Sequence, residues 1–152
     1  MRQLLLLLAF LLLGCTPKTS GPYDERDDAK AALQSTLAAA MAANRPVFVV
    51  FGANWCEDCR ALDKAMNAEP NASLIARSFQ VVKIDVGNFD RNLDIVTTYD
   101  NPIKKGIPAA VLLAPDGKVL YATRAGELAS ARRMGENGIH EFLVGIASRS
   151  DG

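Results

Sequence analysis

The sequence predicts an α/β fold in which a mixed central sheet of about four strands carries helices on both faces. Residues 47–51 (VFVVF) form an unbroken apolar run, which is typical of a central strand covered on both sides. Helical patterns separate this run from a second strand at residues 79–86, so we expect a parallel crossover connection between the two. The turn sequence Pro-Asp-Gly-Lys at 115–118 then joins strands at 109–114 and 119–123 as an antiparallel hairpin.

The first helix is expected at residues 28–43, an alanine-rich segment that Asp27 or Asp28 can cap. A buried stripe is predicted where Leu33, Leu37 and Met41 recur every four residues.

Four more helical segments follow the first strand. The last of them presents apolar residues at i, i+3, i+4 and i+7, as expected for a helix with one buried face. We assign no structure to residues 127–138. The predicted segments are 56–67, 73–78, 92–99 and 139–148.

Length and composition indicate one folded domain. The chain has 152 residues, of which 49% are hydrophobic and 22% charged. Its formal net charge is zero and it contains no basic run, which argues against nucleic acid as a partner. We expect a monomer.

The N-terminus resembles an export signal. Arg2 precedes an apolar block at residues 4–13, which as a helix spans about 15 Å and is too short for a stable membrane span. Leu12-Leu13-Gly14-Cys15 resembles the lipobox of bacterial lipoproteins, in which the cysteine is acylated after cleavage. The alternative is an ordinary signal peptide that happens to contain Cys15. By the same resemblance, Thr16 after the cysteine favours the outer membrane, with the domain in the periplasm.

The predicted organisation is therefore a signal peptide at 1–14, a lipidated cysteine with a flexible tether at 15–27, and a folded domain at 28–152. The tether prediction rests on its prolines, glycine and charges.

Two of the three cysteines remain once Cys15 is assigned to lipid. Cys56 and Cys59 lie three residues apart at the predicted start of a helix, where unpaired N–H groups and the helix dipole favour a thiolate. Cys56 is therefore the predicted nucleophile, and Cys59, one turn further in, the predicted resolving cysteine. Zinc sites use the same spacing, but the chain has no second C-x-x-C and His140 is its single histidine.

Residues 51–60 (FGANWCEDCR) resemble the active-site segment of the thioredoxin superfamily. Two later features match the same family in order: Ile107-Pro108 before the third strand, and Gly126 after the fourth. The resemblance implies a thioredoxin-like fold, a cis peptide bond at Pro108 and a substrate-binding surface formed by Trp55, Ile107, Pro108 and Gly126. For Trp55 a position in the core is the alternative.

Two departures from the family pattern affect the chemistry. Glu57 and Asp58 replace the common Gly-Pro between the cysteines, and Val50 stands where thioredoxins bury an acid that takes the proton of the resolving cysteine. Two negative charges about 7 Å from Cys56 together raise its pKa by nearly one unit, which opposes the helix dipole. Alternatively, Glu57 and Asp58 are solvated acids that suit a first helical turn. The proton acceptor for Cys59 is left open between these carboxylates and water.

The expected function is thiol–disulfide exchange on protein disulfides, nearer to a reductase or isomerase than to a strong oxidase. The resemblance implies no organic cofactor and no metal, and a membrane thiol relay as electron donor. Two alternatives stay open. One is a copper chaperone that uses both thiolates, and the other is a binding module with a purely structural disulfide.

Overall fold

One four-stranded sheet organises residues 21–149, the part of the chain that the computed structural model describes. The elements in chain order are α1 (Ala29–Ala43), β1 (Val47–Gly52), α2 (Glu57–Asn67), α3 (Asn71–Ser78), β2 (Gln80–Asp85), α4 (Leu93–Thr98), a 3₁₀ turn (Pro102–Lys105), β3 (Ala109–Leu113), β4 (Val119–Ala122) and α5 (Ala131–Ser148). The strands lie in the order β2-β1-β3-β4. β1 is parallel to β2 and antiparallel to β3, and β4 is antiparallel to β3. The predicted fold class is confirmed.

The core consists of two apolar layers, one on each face of the sheet. All six residues of β1 are buried, because successive side chains point to opposite faces and both faces are covered. Val47, Val49 and Phe51 pack with residues of α1 and α4. Phe48 and Val50 pack with residues of α2, α3 and α5. Together these layers hold the end of β1, and the loop that follows it, at a fixed place.

The buried stripe of α1 differs from the prediction at one residue. Asp28 caps the helix by accepting a hydrogen bond from the Ala31 N–H at 3.0 Å, and Leu33 is buried. Met41, however, is 63% exposed, and Ala40 is fully buried in its place. Eight residues after Leu33 the helix has turned about 80° past it, whereas seven residues bring Ala40 back to within about 20°.

Residues 21–27 were predicted as part of a flexible tether, but Tyr23 within them is part of the folded core. That side chain is only 2% exposed and belongs to the layer formed by α1 and α4. Its backbone exchanges two hydrogen bonds with the side chain of Asn54, both at 2.9 Å. The folded unit therefore begins before residue 28, and the predicted boundary lies too late in the chain. Residues 1–20, which contain Cys15, lie outside the described residues.

The last helix starts earlier than predicted. It runs over Ala131–Ser148 and is interrupted at Gly135, whose φ of 67° and ψ of 178° are not helical. The short first part buries Ala131 completely and brings Arg132 to the start of α2. This part lies within residues 127–138, to which the sequence patterns assigned no secondary structure. Across residues 21–149, none of the helices combines the length and apolar character needed to cross a membrane.

Candidate active site

Cys56 and Cys59 lie where the central strand passes into a helix. β1 ends at Gly52, and Cys56 is the N-cap of α2, so its sulfur accepts a hydrogen bond from the Cys59 N–H at 3.1 Å. Cys59 is one turn further in and only 1% exposed. The two sulfurs form a disulfide. A capping position leaves backbone N–H groups free to point at the sulfur, which is the arrangement that favours a thiolate there.

The two thiols differ in acidity when the disulfide is open. Hydrogen bonding with Cys59 lowers the pKa of the Cys56 thiol to about 7, although burial acts in the opposite direction. The hydrogen bond with Cys56, followed by burial, raises the pKa of the Cys59 thiol. Cys56 therefore ionises first and is the stronger candidate nucleophile at neutral pH.

The charge of Asp58 acts on Cys56 in the direction that the sequence suggested, but it does not decide the net shift. The charge of Asp58 does raise the pKa of Cys56, but its effect is smaller than that of the hydrogen bond from Cys59, and the net shift is downward. Both carboxylates form ion pairs with Arg132. Burial raises the pKa of Asp58, yet hydrogen bonds from the Arg132 backbone and guanidinium outweigh it and leave the pKa lowered.

Sequence reasoning did not identify Arg132 as a residue of the site. Its N–H donates to Asp58 Oδ1 at 2.9 Å, and its Nε lies 3.3 Å from the same oxygen. A neighbouring cation favours the thiolate of a reactive cysteine, so this residue offsets part of the negative charge between the cysteines. Its only sequence signal was the pair Arg132-Arg133 within residues 127–138, to which no structure was assigned.

The loop before β3 faces the nucleophile. The Ile107–Pro108 peptide bond is cis, and the Ile107 carbonyl oxygen lies 3.6 Å from Cys56 Sγ. Both residues are buried. The loop thus presents a backbone carbonyl directly beside the sulfur that would attack a substrate.

Trp55 lies on the surface beside the cysteines and not in the core, with 54% of it exposed. Its Nε1–H donates to the Gly87 carbonyl at 2.9 Å, and its ring meets Phe89 edge to face at 6.2 Å between centroids. Phe89 is also an exposed aromatic, held at a φ of 63°. The pair forms an apolar surface next to the disulfide, and Phe89 carried no sequence signal that predicted this.

Gly126 packs beside the same loop. Its φ is +78°, and a Cβ there would lie 3.1 Å from the Lys105 carbonyl oxygen. A larger residue would both strain the backbone and crowd the segment that leads to Pro108.

The surroundings of Cys59 contain one group that sequence reasoning missed. A Cβ built on Gly52 would lie 2.2 Å from Tyr23 Oη and 2.9 Å from Cys59 Sγ. The phenol oxygen and the sulfur therefore share the small space above Gly52. Val50 is buried among the residues facing α2, α3 and α5, and Lys83, its partner across the sheet, forms an ion pair with Asp63.

No group of three or more His, Cys, Asp or Glu side chains within residues 21–149 has the arrangement of a metal site.

A mixed four-stranded sheet with a C-x-x-C at the start of a helix, opposite a cis-proline loop, defines the thioredoxin class of folds. The family model described as thioredoxin-like matches residues 28–115. This chain belongs to that family.

Solved structures give further comparisons. A disulphide isomerase from Xylella fastidiosa Temecula1 is 52% identical, with a TM-score of 0.82, and the match covers 85% of this chain and 98% of that one. A thioredoxin from Thermus thermophilus is 23% identical over 69% of this chain and 85% of its own, with a TM-score of 0.46. A thioredoxin-fold protein from Helicobacter pylori is 13% identical over 72% and 86%, with a TM-score of 0.45. No match is found among curated proteins. The family and the Cys56–Cys59 disulfide together support thiol–disulfide exchange at this site.

Proposed function

We propose that this protein exchanges thiols and disulfides with protein substrates, with Cys56 as nucleophile and Cys59 as resolving cysteine. The observation that carries the proposal is the sulfur of Cys56, which caps a helix, has a lowered pKa and touches both Cys59 and the Ile107 carbonyl. The capping hydrogen bond and the lowered pKa both favour the nucleophilic thiolate, and the Ile107 carbonyl shows that the backbone before β3 lies beside it.

In the reductive direction the Cys56 thiolate attacks one sulfur of a substrate disulfide. A Cys56–substrate bond forms, and the second substrate sulfur leaves as a thiolate with the electron pair. Cys59 then loses its proton and attacks Cys56 Sγ. The mixed disulfide breaks, its electron pair goes to the substrate sulfur, and the Cys56–Cys59 disulfide closes. The substrate is reduced by two electrons and the protein is oxidised by two.

The substrate is expected to dock on the surface around Cys56. Trp55 and Phe89 offer exposed aromatic rings on one side, and the Ile107–Pro108 loop offers backbone groups on the other. Exposed aromatics next to a reactive group are suited to bind an apolar segment of a partly unfolded protein.

The pKa of Cys56 supports a reductase or isomerase over a strong oxidase. A value of about 7 lies in the range of thioredoxin, at about 7, and well above the value of about 3.5 for the strongest oxidant of the superfamily. The 52% identical relative described as a disulphide isomerase supports the same choice. We expect a reduction potential between about −180 and −270 mV. A potential near about −120 mV would overturn this part of the proposal.

A trapping experiment tests the exchange reaction. Cys59→Ser leaves Cys56 able to attack but unable to be released, so it should accumulate mixed disulfides with its protein substrates. Cys56→Ser is the matched control, because it keeps one thiol but removes the predicted nucleophile. Equal capture by the two variants, or capture by neither, would refute the assigned roles.

We further propose that the protein is a lipoprotein anchored through Cys15, with its domain in the periplasm and the outer membrane as the favoured site. The support is the apolar N-terminal block followed by Leu12-Leu13-Gly14-Cys15. Gly21 lies against Asn54 in the active-site loop. Six residue steps separate Cys15 from Gly21, so the chain between them reaches at most about 20 Å. A lipid at Cys15 would hold the disulfide near the membrane, where a membrane thiol relay could reduce it.

Metabolic labelling with palmitate tests the anchor. The wild-type protein should incorporate the label and fractionate with the outer membrane, and Cys15→Ala should do neither. Label in both proteins, or in neither, would contradict lipidation at Cys15.

A further inference from the structure

The N-terminal segment is attached to the active-site loop by specific contacts. The Tyr23 N–H donates to Asn54 Oδ1, and Asn54 Nδ2 donates to the Tyr23 carbonyl and to Glu25, each at 2.9 Å. Arg91 adds a hydrogen bond to the Glu25 carbonyl at 2.9 Å. Asn54 lies two residues before Cys56, so the segment is held to the loop that carries the nucleophile.

These contacts direct the side chain of Tyr23 under the disulfide. The ring is buried in the layer that also contains Cys56 and Cys59. Its hydroxyl reaches the space above Gly52 into which Cys59 Sγ also projects, and any side chain at position 52 would collide with the hydroxyl. The absence of a Cβ at Gly52 leaves room for both the hydroxyl and the sulfur on this side of β1.

The resolving cysteine needs such a neighbour. Cys59 must lose its proton in the interior, where burial raises the pKa of a thiol. Val50 supplies no polar atom. Of the carboxylates whose charge acts on Cys59 or Tyr23, Asp58 is paired with Arg132, Asp63 with Lys83 and Asp85 with Arg91. The Tyr23 hydroxyl is different, because it bears no charge at neutral pH and can rotate to accept or donate a hydrogen bond.

We propose that Tyr23 is a positioning residue for the resolving step, and that its hydroxyl hydrogen-bonds the Cys59 sulfur whenever the disulfide is open. This inference rests on the proposed exchange reaction and deepens it. The hydroxyl oxygen accepts a hydrogen bond from the Cys59 thiol. Once the thiol proton has left to solvent, the hydroxyl donates a hydrogen bond to the Cys59 thiolate. It gains and loses no proton overall. The thiolate then attacks Cys56 Sγ, and the substrate sulfur departs with the electron pair.

Burial supports this role of the phenol. It raises the pKa of Tyr23 well above its ordinary value, and the charges of Cys59 and Cys56 act in the same direction. A phenol that stays protonated through the working pH range is always available as a donor.

The two chemical steps can be observed separately with 5,5′-dithiobis(2-nitrobenzoate). The reduced protein releases one thionitrobenzoate when Cys56 attacks the reagent and a second when Cys59 resolves the mixed disulfide. In Tyr23→Phe, which keeps the ring, we expect the first phase to be unchanged. The second phase should be at least tenfold slower, and its rate should rise only at higher pH than in the wild type. Tyr99→Phe is the matched control, since it removes another phenol from the same apolar layer, and both of its phases should be unchanged.

A second variant keeps the hydroxyl but loosens its attachment. Asn54→Ala removes the side chain that binds the Tyr23 backbone, and we expect it to slow the second phase while leaving the first intact. A second phase within twofold of the wild type in Tyr23→Phe, with the same pH profile, would overturn the inference. Absence of any second phase in the wild-type protein would instead refute the proposed exchange reaction.

Discussion

Replacing Arg132 by methionine isolates the effect of one cation on the nucleophile. The substitution keeps a long side chain but removes the guanidinium that pairs with Glu57 and Asp58. The backbone hydrogen bond from residue 132 to Asp58 at 2.9 Å is retained, so the start of α2 keeps its attachment to α5. The two carboxylates between the cysteines then lose their counter-ion.

The expected shift follows from Coulomb's law. A unit charge about 8 Å from Cys56, at an effective dielectric constant of about 40–80, contributes roughly 0.5–1 kcal/mol. Since one pKa unit corresponds to about 1.36 kcal/mol, the pKa of Cys56 should rise by about 0.4–0.7 units. The direction is upward, because losing a positive charge leaves the thiolate less stable. From the wild-type value of about 7, the thiolate fraction at neutral pH therefore falls.

The pH dependence of iodoacetamide alkylation in the reduced protein measures this shift, and thiolate absorbance provides an independent check. Arg77→Met is the control, because Arg77 lies in the last turn of α3 and its loss changes the net charge equally. Raising the salt concentration should shrink the difference between Arg132→Met and the wild type, since exposed charges are screened. An unchanged or lower Cys56 pKa in Arg132→Met would refute the assigned role of the guanidinium.

Packing, backbone conformation and the N-terminal attachment give three more expected outcomes. Leu143→Ala should lower the free energy of unfolding in urea by about 2–5 kcal/mol, because Leu143 is fully buried, whereas its exposed neighbour Val144→Ala should change it by less than about 0.5 kcal/mol; equal losses would contradict the packing. Gly126→Val should cost about 1–3 kcal/mol, because φ is +78° there and a Cβ would crowd the Lys105 carbonyl; wild-type stability in the same titration would contradict this. Asn54→Ala should speed hydrogen exchange at the Tyr23 amide, which donates to Asn54 Oδ1 in the wild type, and an unchanged exchange rate at Tyr23 would contradict the attachment.

Local patterns in the chain determined most of the secondary structure. The apolar run at 47–51 is buried on both faces as β1, and the hairpin turn at 115–118 joins β3 to β4. These features follow from residue periodicity and turn chemistry within a few residues, which a single sequence displays directly. The placement of Cys56 at a helix N-terminus belongs to the same class, because it depends only on where α2 begins.

The apolar repeat predicted the buried positions and the limits of two helices incorrectly. Met41 continued an apolar repeat but is exposed, and the start of α5 showed no pattern because Gly135 interrupts it. A strict repeat of four residues drifts off the buried face of a helix within two turns, which exposes Met41, and the non-helical backbone at Gly135 divides the apolar pattern of α5.

The sequence by itself indicated the α/β fold class and the C-x-x-C pair, because each depends on short segments with recognisable patterns, whereas the cis-proline loop opposite the pair followed only from the resemblance to the thioredoxin family. Only the tertiary structure decided which groups surround the sulfurs. Tyr23 meets its partner Asn54 across 31 residues of sequence, and Arg132 meets Asp58 across 74. Contacts over such separations depend on how the helices pack against the two faces of the sheet, and no local spacing in the chain encodes them.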